Sequence, residues 1–197
     1  MASIRTFIAI ELTEDARDAL GELRDRLKQT PAGKAGRWMR KESIHLTLKF
    51  LGDIPEERVD KVCEGVRRAC EGHPPFSVTI AGLGCFPNTR RPRVLWAGVG
   101  GEVNALCDLQ QAVEGEMVAL GFPEERHDFT PHLTLARIQR GARSEDVRAL
   151  GQIAEKAPSE EMEGMRVDAV SVMKSDLQPT GAVYTELCHI PLESQEG

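Results

Sequence analysis

Two tetrapeptides decide how this chain is read: His45-Leu46-Thr47-Leu48 and His132-Leu133-Thr134-Leu135, identical in sequence and 87 residues apart. In a β-strand successive side chains point to opposite faces. Within each tetrapeptide the two leucines therefore face one way, and the histidine and threonine face the other. Each strand is expected to give its leucines to a core and to present an imidazole and a hydroxyl on a polar face. The same offset carries Phe7-Ile8-Ala9-Ile10 onto Val94-Leu95-Trp96-Ala97, two stretches that read as buried strands. It also brings the first helical pattern close to the start of the third. One offset that aligns strand, helix and motif marks a repeated unit. Two similar lobes are expected, about residues 1–83 and 93–190, in a single domain spanning residues 1–197. Residues 84–92, where Pro87, Asn88 and Pro92 gather, would connect them.

Around the motifs, strand and helix patterns alternate. Thr13 suits an N-cap, with Glu14 and Asp15 in the first turn, and Ala16, Ala19, Leu20, Leu23 and Leu27 follow at helical spacing. The first motif strand is expected over residues 44–51, stopping at Gly52-Asp53. Pro55 then opens a second helix with a buried stripe of Val59, Val62, Cys63, Val66 and Cys70. Strands are expected at 76–83 and 93–99, a helix at 102–120 ending on Gly121, and the second motif strand at 132–138. A helix capped by Ser144 runs to Lys156, and strands at 165–173 and 183–190 close the chain.

The chain has 197 residues, 41% of them apolar and 28% charged, the balance of an ordinary soluble protein with room for a sizeable core. No stretch is apolar for long enough to cross a bilayer. The first twelve residues lack the basic region and long apolar stretch of a secretory signal. The five cysteines, Cys63, Cys70, Cys85, Cys107 and Cys188, are odd in number and include no C-x-x-C pair. They indicate neither a disulfide framework nor a zinc site, and read as buried small hydrophobes of a protein in a reducing cytoplasm. A net charge of −6 argues against tight binding along duplex nucleic acid, while leaving open the binding of one strand end. Basic groups do cluster locally, at Arg37, Arg40 and Lys41, at Arg90, Arg91 and Arg93, and at Arg137 and Arg140. Most of these read as solvated loop charges.

Two imidazoles and two hydroxyls converging across a cleft suit a phosphodiester. A neutral imidazole takes a proton from the attacking oxygen, and a protonated one gives a proton to the leaving oxygen. Histidine titrates near neutrality, so both forms are accessible. Thr47 and Thr134 can donate hydrogen bonds to the non-bridging oxygens, where charge builds in the transition state. A single H-x-T would carry little weight, but identical strings at equivalent points of a repeat point to one paired site. His73, His127 and His189 lack this context and read as structural or surface residues. No H-x-x-x-H or carboxylate–histidine cluster calls for a metal, and no cofactor is required.

With these residues in place the sequence resembles the two-histidine (2H, HxTx) phosphoesterase superfamily, and most of all the bacterial and archaeal RNA 2′,3′-cyclic phosphodiesterases, the 2′-5′ RNA ligase-like proteins. The resemblance spans nearly the whole chain. It includes residues 5–10, Trp38, the motif His45-Leu46-Thr47-Leu48-Lys49-Phe50-Leu51-Gly52, residues 91–96, residues 129–137, and Ser175-Asp176-Leu177 with Gly181 and Tyr184. It implies an α+β fold of two pseudo-symmetric lobes, each an antiparallel sheet with helices on its outer face, flanking a central cleft. It implies hydrolysis of RNA 2′,3′-cyclic phosphate ends, tRNA fragments among them, to 2′-phosphates by a monomeric cytoplasmic enzyme away from membranes, with reversible 2′-5′ ligation. By the family pattern His45 is the proton donor, His132 the proton acceptor, and Thr47 and Thr134 hold the phosphate.

Further positions are read from strand alternation. Lys49 and Ala136 share the cleft face if the strands are regular, with Lys49 a solvated lysine rather than a phosphate ligand. Arg137 then lies on the opposite face unless a bulge turns it. Phe50 and Phe129 are expected in core packing rather than in base stacking. Nothing in the sequence places Tyr184 or Arg93 at the cleft.

Overall fold

The leucines of the two tetrapeptides are buried, as alternation requires: Leu46, Leu48, Leu133 and Leu135 all belong to the core. The computed structural model describes residues 3–178 and 181–193. Its strands are β1 (Ser3–Ile10), β2 (Gly36–Trp38), β3 (Leu46–Pro55), β4 (Phe76–Phe86), β5 (Val94–Gly101), β6 (His132–Ile138), β7 (Glu161–Val167), β8 (Ala169–Gln178) and β9 (Gly181–Pro191). Its helices are α1 (Glu14–Gln29), α2 (Val59–Cys70), α3 (Val103–Ala119) and α4 (Ser144–Lys156). All pairings are antiparallel, in the order β7-β4-β5-β6-β3-β1-β8-β9, with β2 pairing a further part of β6. Fully buried side chains such as Ile8, Leu20, Leu46, Leu106, Leu135 and Leu150 tie the helices to one sheet face. Burying each such side chain stabilises the fold by roughly 1.5–3 kcal/mol.

The 87-residue offset is obeyed residue for residue. Between β1 and β3 the pairs are Phe7↔Phe50, Ile8↔Lys49, Ala9↔Thr47 and Ile10↔Leu46. Between β5 and β6 they are Val94↔Arg137, Leu95↔Ala136, Trp96↔Thr134 and Ala97↔Leu133. The two motif strands meet at Leu46↔Leu133, a pair related by the offset itself, so a pseudo-twofold axis passes between these leucines. The third strand of each unit is exchanged across this axis: β4 pairs with β5, and β8 pairs with β1. Each half of the sheet thus takes strands from both halves of the sequence. A repeat offset reports equivalence, not partnership, so the exchange could not be read from it.

Several boundaries move. β4 continues to Phe86, so residues 84–86 are strand and the connection is the loop at 87–93. β3 passes through Gly52, which adopts φ 73°, and Pro55 ends the strand instead of opening a helix. A 3-10 turn, Glu56–Arg58, intervenes before α2. The strand expected at 165–173 is two strands, β7 on the sheet edge against β4 and β8 against β1. Thr13 does cap α1, its hydroxyl accepting from the Ala16 N–H at 3.3 Å. Arg143, not Ser144, occupies the cap position of α4.

Cys63 of α2 and Cys188 of β9 form a disulfide, their Cα atoms 6.3 Å apart. This corrects the reading of all five cysteines as inert hydrophobes, which holds for the buried Cys70 and Cys85. The partners are 125 residues apart and meet because β9 packs on α2, a contact that cysteine spacing does not report. The inference from cysteine usage to a reducing compartment loses its basis with it. Among the described residues no helix is long and apolar enough to cross a membrane.

Candidate active site

Both motif strands carry a β-bulge at the same point. β3 has an extra residue at Leu48 and β6 has one at Leu135, where the partner register shifts by one. A bulge turns the following side chains to the other face. Leu48 and Lys49 are consequently both buried, and so are Leu135 and Ala136. Phe50 and Arg137 swing onto the polar face instead, in equivalent positions. Each bulge has its carbonyl held: Gln110 Nε2 donates to Leu48 O at 3.4 Å, and Met39 N donates to Leu135 O at 2.8 Å.

Three expectations are corrected by these bulges. Lys49 is neither solvated nor in the cleft but 6% exposed. Its ammonium donates to both carboxylate oxygens of Glu114 at 2.7 Å and to Pro123 O at 2.9 Å. Phe50 is not a core residue: it is 65% exposed, with its ring centroid 6.1 Å from that of Phe7. Phe129 does pack against the core, as expected. Arg137 reaches the cleft by the bulge route, and its charge acts on both His132 and Tyr184.

His45 precedes β3 with its imidazole stacked on Phe7, centroids 4.6 Å apart, and set edgewise to Tyr184 at 5.0 Å. His132 opens β6, edgewise to Phe86 at 4.8 Å. Carried one residue either way from Leu46↔Leu133, the antiparallel register sets His45 across from Thr134 and Thr47 across from His132. All four side chains point away from the leucines and are partly buried. Tyr184, which the sequence left unplaced, arrives from β9 and pairs across from Ser175. The backbone of Arg93 ties β6 to the end of β4, its N–H donating to Phe86 O at 2.7 Å and its carbonyl accepting from Ile138 N at 2.9 Å.

The imidazoles have equivalent backbone neighbours. His132 Nδ1 lies 2.8 Å from Thr130 O. A carbonyl only accepts, so Nδ1 carries a proton and Nε2 is the nitrogen left to titrate. The backbone of Ser43 stands in the equivalent place beside His45, where it raises the affinity of the ring for a proton, and Ser43 and Thr130 are again 87 residues apart. Burial pushes His45 down to about 4, with the Ser43 carbonyl opposing and the charge of His132 adding to the fall. Burial also lowers His132, against the Thr130 carbonyl and with the charge of Arg137. A small cavity of about 70 Å³ adjoins His45, lined by Glu11, Arg17, Glu42, Ile44, Met173 and Tyr184. A larger cavity, about 840 Å³, lies among α1, α4, β4 and β7 and contains neither histidine.

The description "LigT like Phosphoesterase" belongs to a family model that matches residues 10–96 and 101–184. The chain belongs to the LigT-like phosphoesterase family. The two matched stretches cover the two motifs separately. This LigT-like phosphoesterase is 37% identical to the RNA 2′,3′-cyclic phosphodiesterase of Methanothermobacter thermautotrophicus, over 93% of the chain and 96% of that relative. It is 32% identical to the RNA 2′,3′-cyclic phosphodiesterase of Thermotoga maritima, over 96% of each. Its fold matches the crystal structure of TT0787 from Thermus thermophilus with a TM-score of 0.78 and 28% identity, over 98% of this chain and 100% of that one. E. coli LigT, crystallised with 3′-AMP, shares the fold at a TM-score of 0.75 and 24% identity, over 97% and 99% of the two chains.

Proposed function

We propose that this LigT-like phosphoesterase hydrolyses RNA 2′,3′-cyclic phosphate ends to 2′-phosphates by acid–base catalysis between His45 and His132. The observation that carries the reading is the pairing Leu46↔Leu133, which sets an imidazole and a hydroxyl from each motif on one face. The names of relatives that match along nearly their full length support the substrate. In this scheme His132 takes a proton from the attacking water, the new P–O bond forms as the P–O3′ bond breaks, and His45 protonates the departing 3′ oxygen. Thr47 and Thr134 donate to the non-bridging oxygens. With a 5′ hydroxyl in place of water as the attacking group, the same forward steps join it to phosphorus, release the 3′ hydroxyl and make a 2′-5′ linkage; their reversal cleaves that linkage back to the cyclic phosphate.

An acid must hold its proton, and burial keeps His45 neutral at pH 7 in the free protein. An anionic phosphodiester beside the ring favours the charged form, so binding the substrate arms the acid. The two imidazoles and two hydroxyls supply every function the reaction needs, and we propose that no metal takes part. We further propose that the chain works as a monomer, one domain of two lobes, on RNA ends such as tRNA fragments in the cytoplasm. There the Cys63–Cys188 disulfide would face reducing conditions.

The test is incubation with an oligonucleotide ending in a 2′,3′-cyclic phosphate. The expected product resists an enzyme that removes only 3′-phosphates. Conversion of most product to a free hydroxyl by that enzyme would refute the regiochemistry, and binding without turnover would make the protein an RNA-end binding module.

A further inference from the structure

The ion pair beneath the first bulge has no part in the proposed chemistry, yet every bond it can make is made. An ammonium has three N–H groups. Lys49 gives them to the two oxygens of Glu114, each at 2.7 Å, and to Pro123 O at 2.9 Å. Glu114 Oε1 also accepts from the Glu125 N–H at 2.8 Å. Lys49 is buried and Glu114 partly so. Apolar residues of similar volume often stabilise a fold as well as a buried ion pair does, so stability alone does not account for these two charges. What they do that methionine and leucine could not is bond one particular stretch of backbone.

That stretch leads to His132. It leaves the end of α3 through the buried Phe122 and runs from Pro123 to Pro131 before β6 begins. Residues 123–128 are all exposed, so packing does not fix them. Among the described residues, none of residues 123–130 makes a backbone–backbone hydrogen bond. The segment is tied instead by Lys49 at Pro123, by Glu114 at Glu125, and by Phe129, which packs against the core. The next residue is Thr130, whose carbonyl holds Nδ1 of His132 at 2.8 Å. Glu125 and Thr130 are only five apart, so fixing the start of the segment restricts where that carbonyl can lie. The repeat does not supply the device twice, because the counterpart of Lys49 is Ala136.

Resting on the proposed role of His132 as the base, we propose that the buried Lys49–Glu114 pair positions His132. By holding Pro123 and Glu125 it sets the Thr130 carbonyl, and that carbonyl keeps the ring proton on Nδ1. Which nitrogen carries the proton is decided by the hydrogen bond the other one leaves or makes. With the carbonyl displaced the proton can sit on Nε2, and a ring in that form has no lone pair there to take a proton from water. Lys49 and Glu114 touch neither substrate nor reacting atoms and act only through this backbone.

Two variants test the idea. Glu125→Pro removes one N–H from an exposed loop residue and leaves both charges in place. Lys49→Met/Glu114→Leu removes the pair without stranding a charge. The first readout is the ¹⁵N shifts of the imidazole nitrogens in the free protein at about pH 8, where both rings are neutral. Wild-type His132 should carry its proton on Nδ1. In both variants His132 should become a mixture of tautomers, and in Glu125→Pro, where β3 is untouched, His45 should keep its wild-type shifts. The second readout is turnover of an oligonucleotide ending in a 2′,3′-cyclic phosphate. In both variants kcat should fall about tenfold or more with little change in KM, while the urea midpoint of Glu125→Pro stays close to wild type. A wild-type tautomer and kcat in Glu125→Pro overturn the proposal, and so does an equal disturbance of both histidines, the mark of general loosening. If the double variant does not fold, Glu125→Pro alone decides. If wild type turns over no cyclic-phosphate end, the proposed function fails, while the tautomer of His132 in the variants still decides the positioning.

Discussion

Leu46 and Leu133 lie directly opposite each other where β3 meets β6, and they are each other's counterparts under the repeat. Both are buried, so the junction is braced from the core side. The residues just before them, His45 and His132, inherit their relative position from it. The proposed catalytic pair is set by hydrophobic packing on the face that the substrate never touches.

The division of labour between the histidines can be separated by leaving-group chemistry. A stable leaving anion needs no proton, so an activated aryl phosphodiester should largely rescue His45→Ala. It should not rescue His132→Ala, because water still needs a base. Each missing proton transfer should slow the cyclic phosphate by roughly 10²–10⁴. Rescue of His132→Ala alone would reverse the roles, and rescue of neither would discard the simple scheme.

The lowered imidazoles have a signature in stability. Their folded values lie below the ordinary value, His45 at about 4. The unfolded chain therefore binds more protons, and stability rises with pH. This contribution is complete above the unfolded value of about 6.5 and is lost as pH falls from there through about 4. Urea unfolding of wild type and His45→Gln across this range should show a shallower pH slope in the variant. In NMR titration His45 should move near 4 in the free protein and shift upward with inorganic phosphate bound. A free-protein value near 6.5 would contradict the burial argument.

Lys49→Met leaves the Glu114 carboxylate partly buried without its cation. Breaking such a pair destabilises by about 3–5 kcal/mol, and thermal or urea unfolding reads the loss directly. Lys49→Met/Glu114→Leu should recover most of it, because neither charge is then left uncompensated. A single variant as stable as wild type would mean that Lys49 is solvated after all.

Phe50 offers an exposed aromatic face beside Phe7 and the motif strand. Phe50→Ala should leave stability within about 0.5 kcal/mol but weaken substrate binding by about 1–3 kcal/mol, the worth of one stacked base. The readout is KM for a cyclic-phosphate-ended oligonucleotide. An unchanged KM would remove Phe50 from the binding surface.

Exhaustive chelation should leave turnover intact. Loss of activity that a divalent ion restores would show that the imidazoles and hydroxyls are not sufficient.

Much of this architecture was legible because it rests on periodicity. Leu46, Leu48, Leu133 and Leu135 took the core face by alternation, and the spacing of the tetrapeptides matches the register of four strands. What was illegible lies where periodicity breaks. A bulge shifts the count by one, and neither Leu48 nor Leu135 differs in type from a regular strand residue. Lys49, Phe50 and Arg137 all lie past a bulge, where strict alternation no longer holds. Gln110 and Glu114, which hold the first bulge from α3, lie more than sixty residues away along the chain, and nothing local announces them. Tyr184 and the Cys63–Cys188 bond depend on how β9 lies against α2 and the cleft, a tertiary contact without a sequence period.

The exchange of β4 and β8 across the pseudo-twofold axis has a consequence for ancestry. A polypeptide carrying only the first unit would end in a strand whose partner lies in another unit. Two copies could satisfy each other by swapping that strand, giving a symmetric homodimer with a His45 from each copy. The present chain is what gene duplication and fusion of such a dimer would produce. Fusion freed the copies to diverge: Lys49 is matched by Ala136 and Phe50 by Arg137. A dimer with true symmetry must give both imidazoles one environment, whereas two halves on one gene can hold one as an acid and the other as a base.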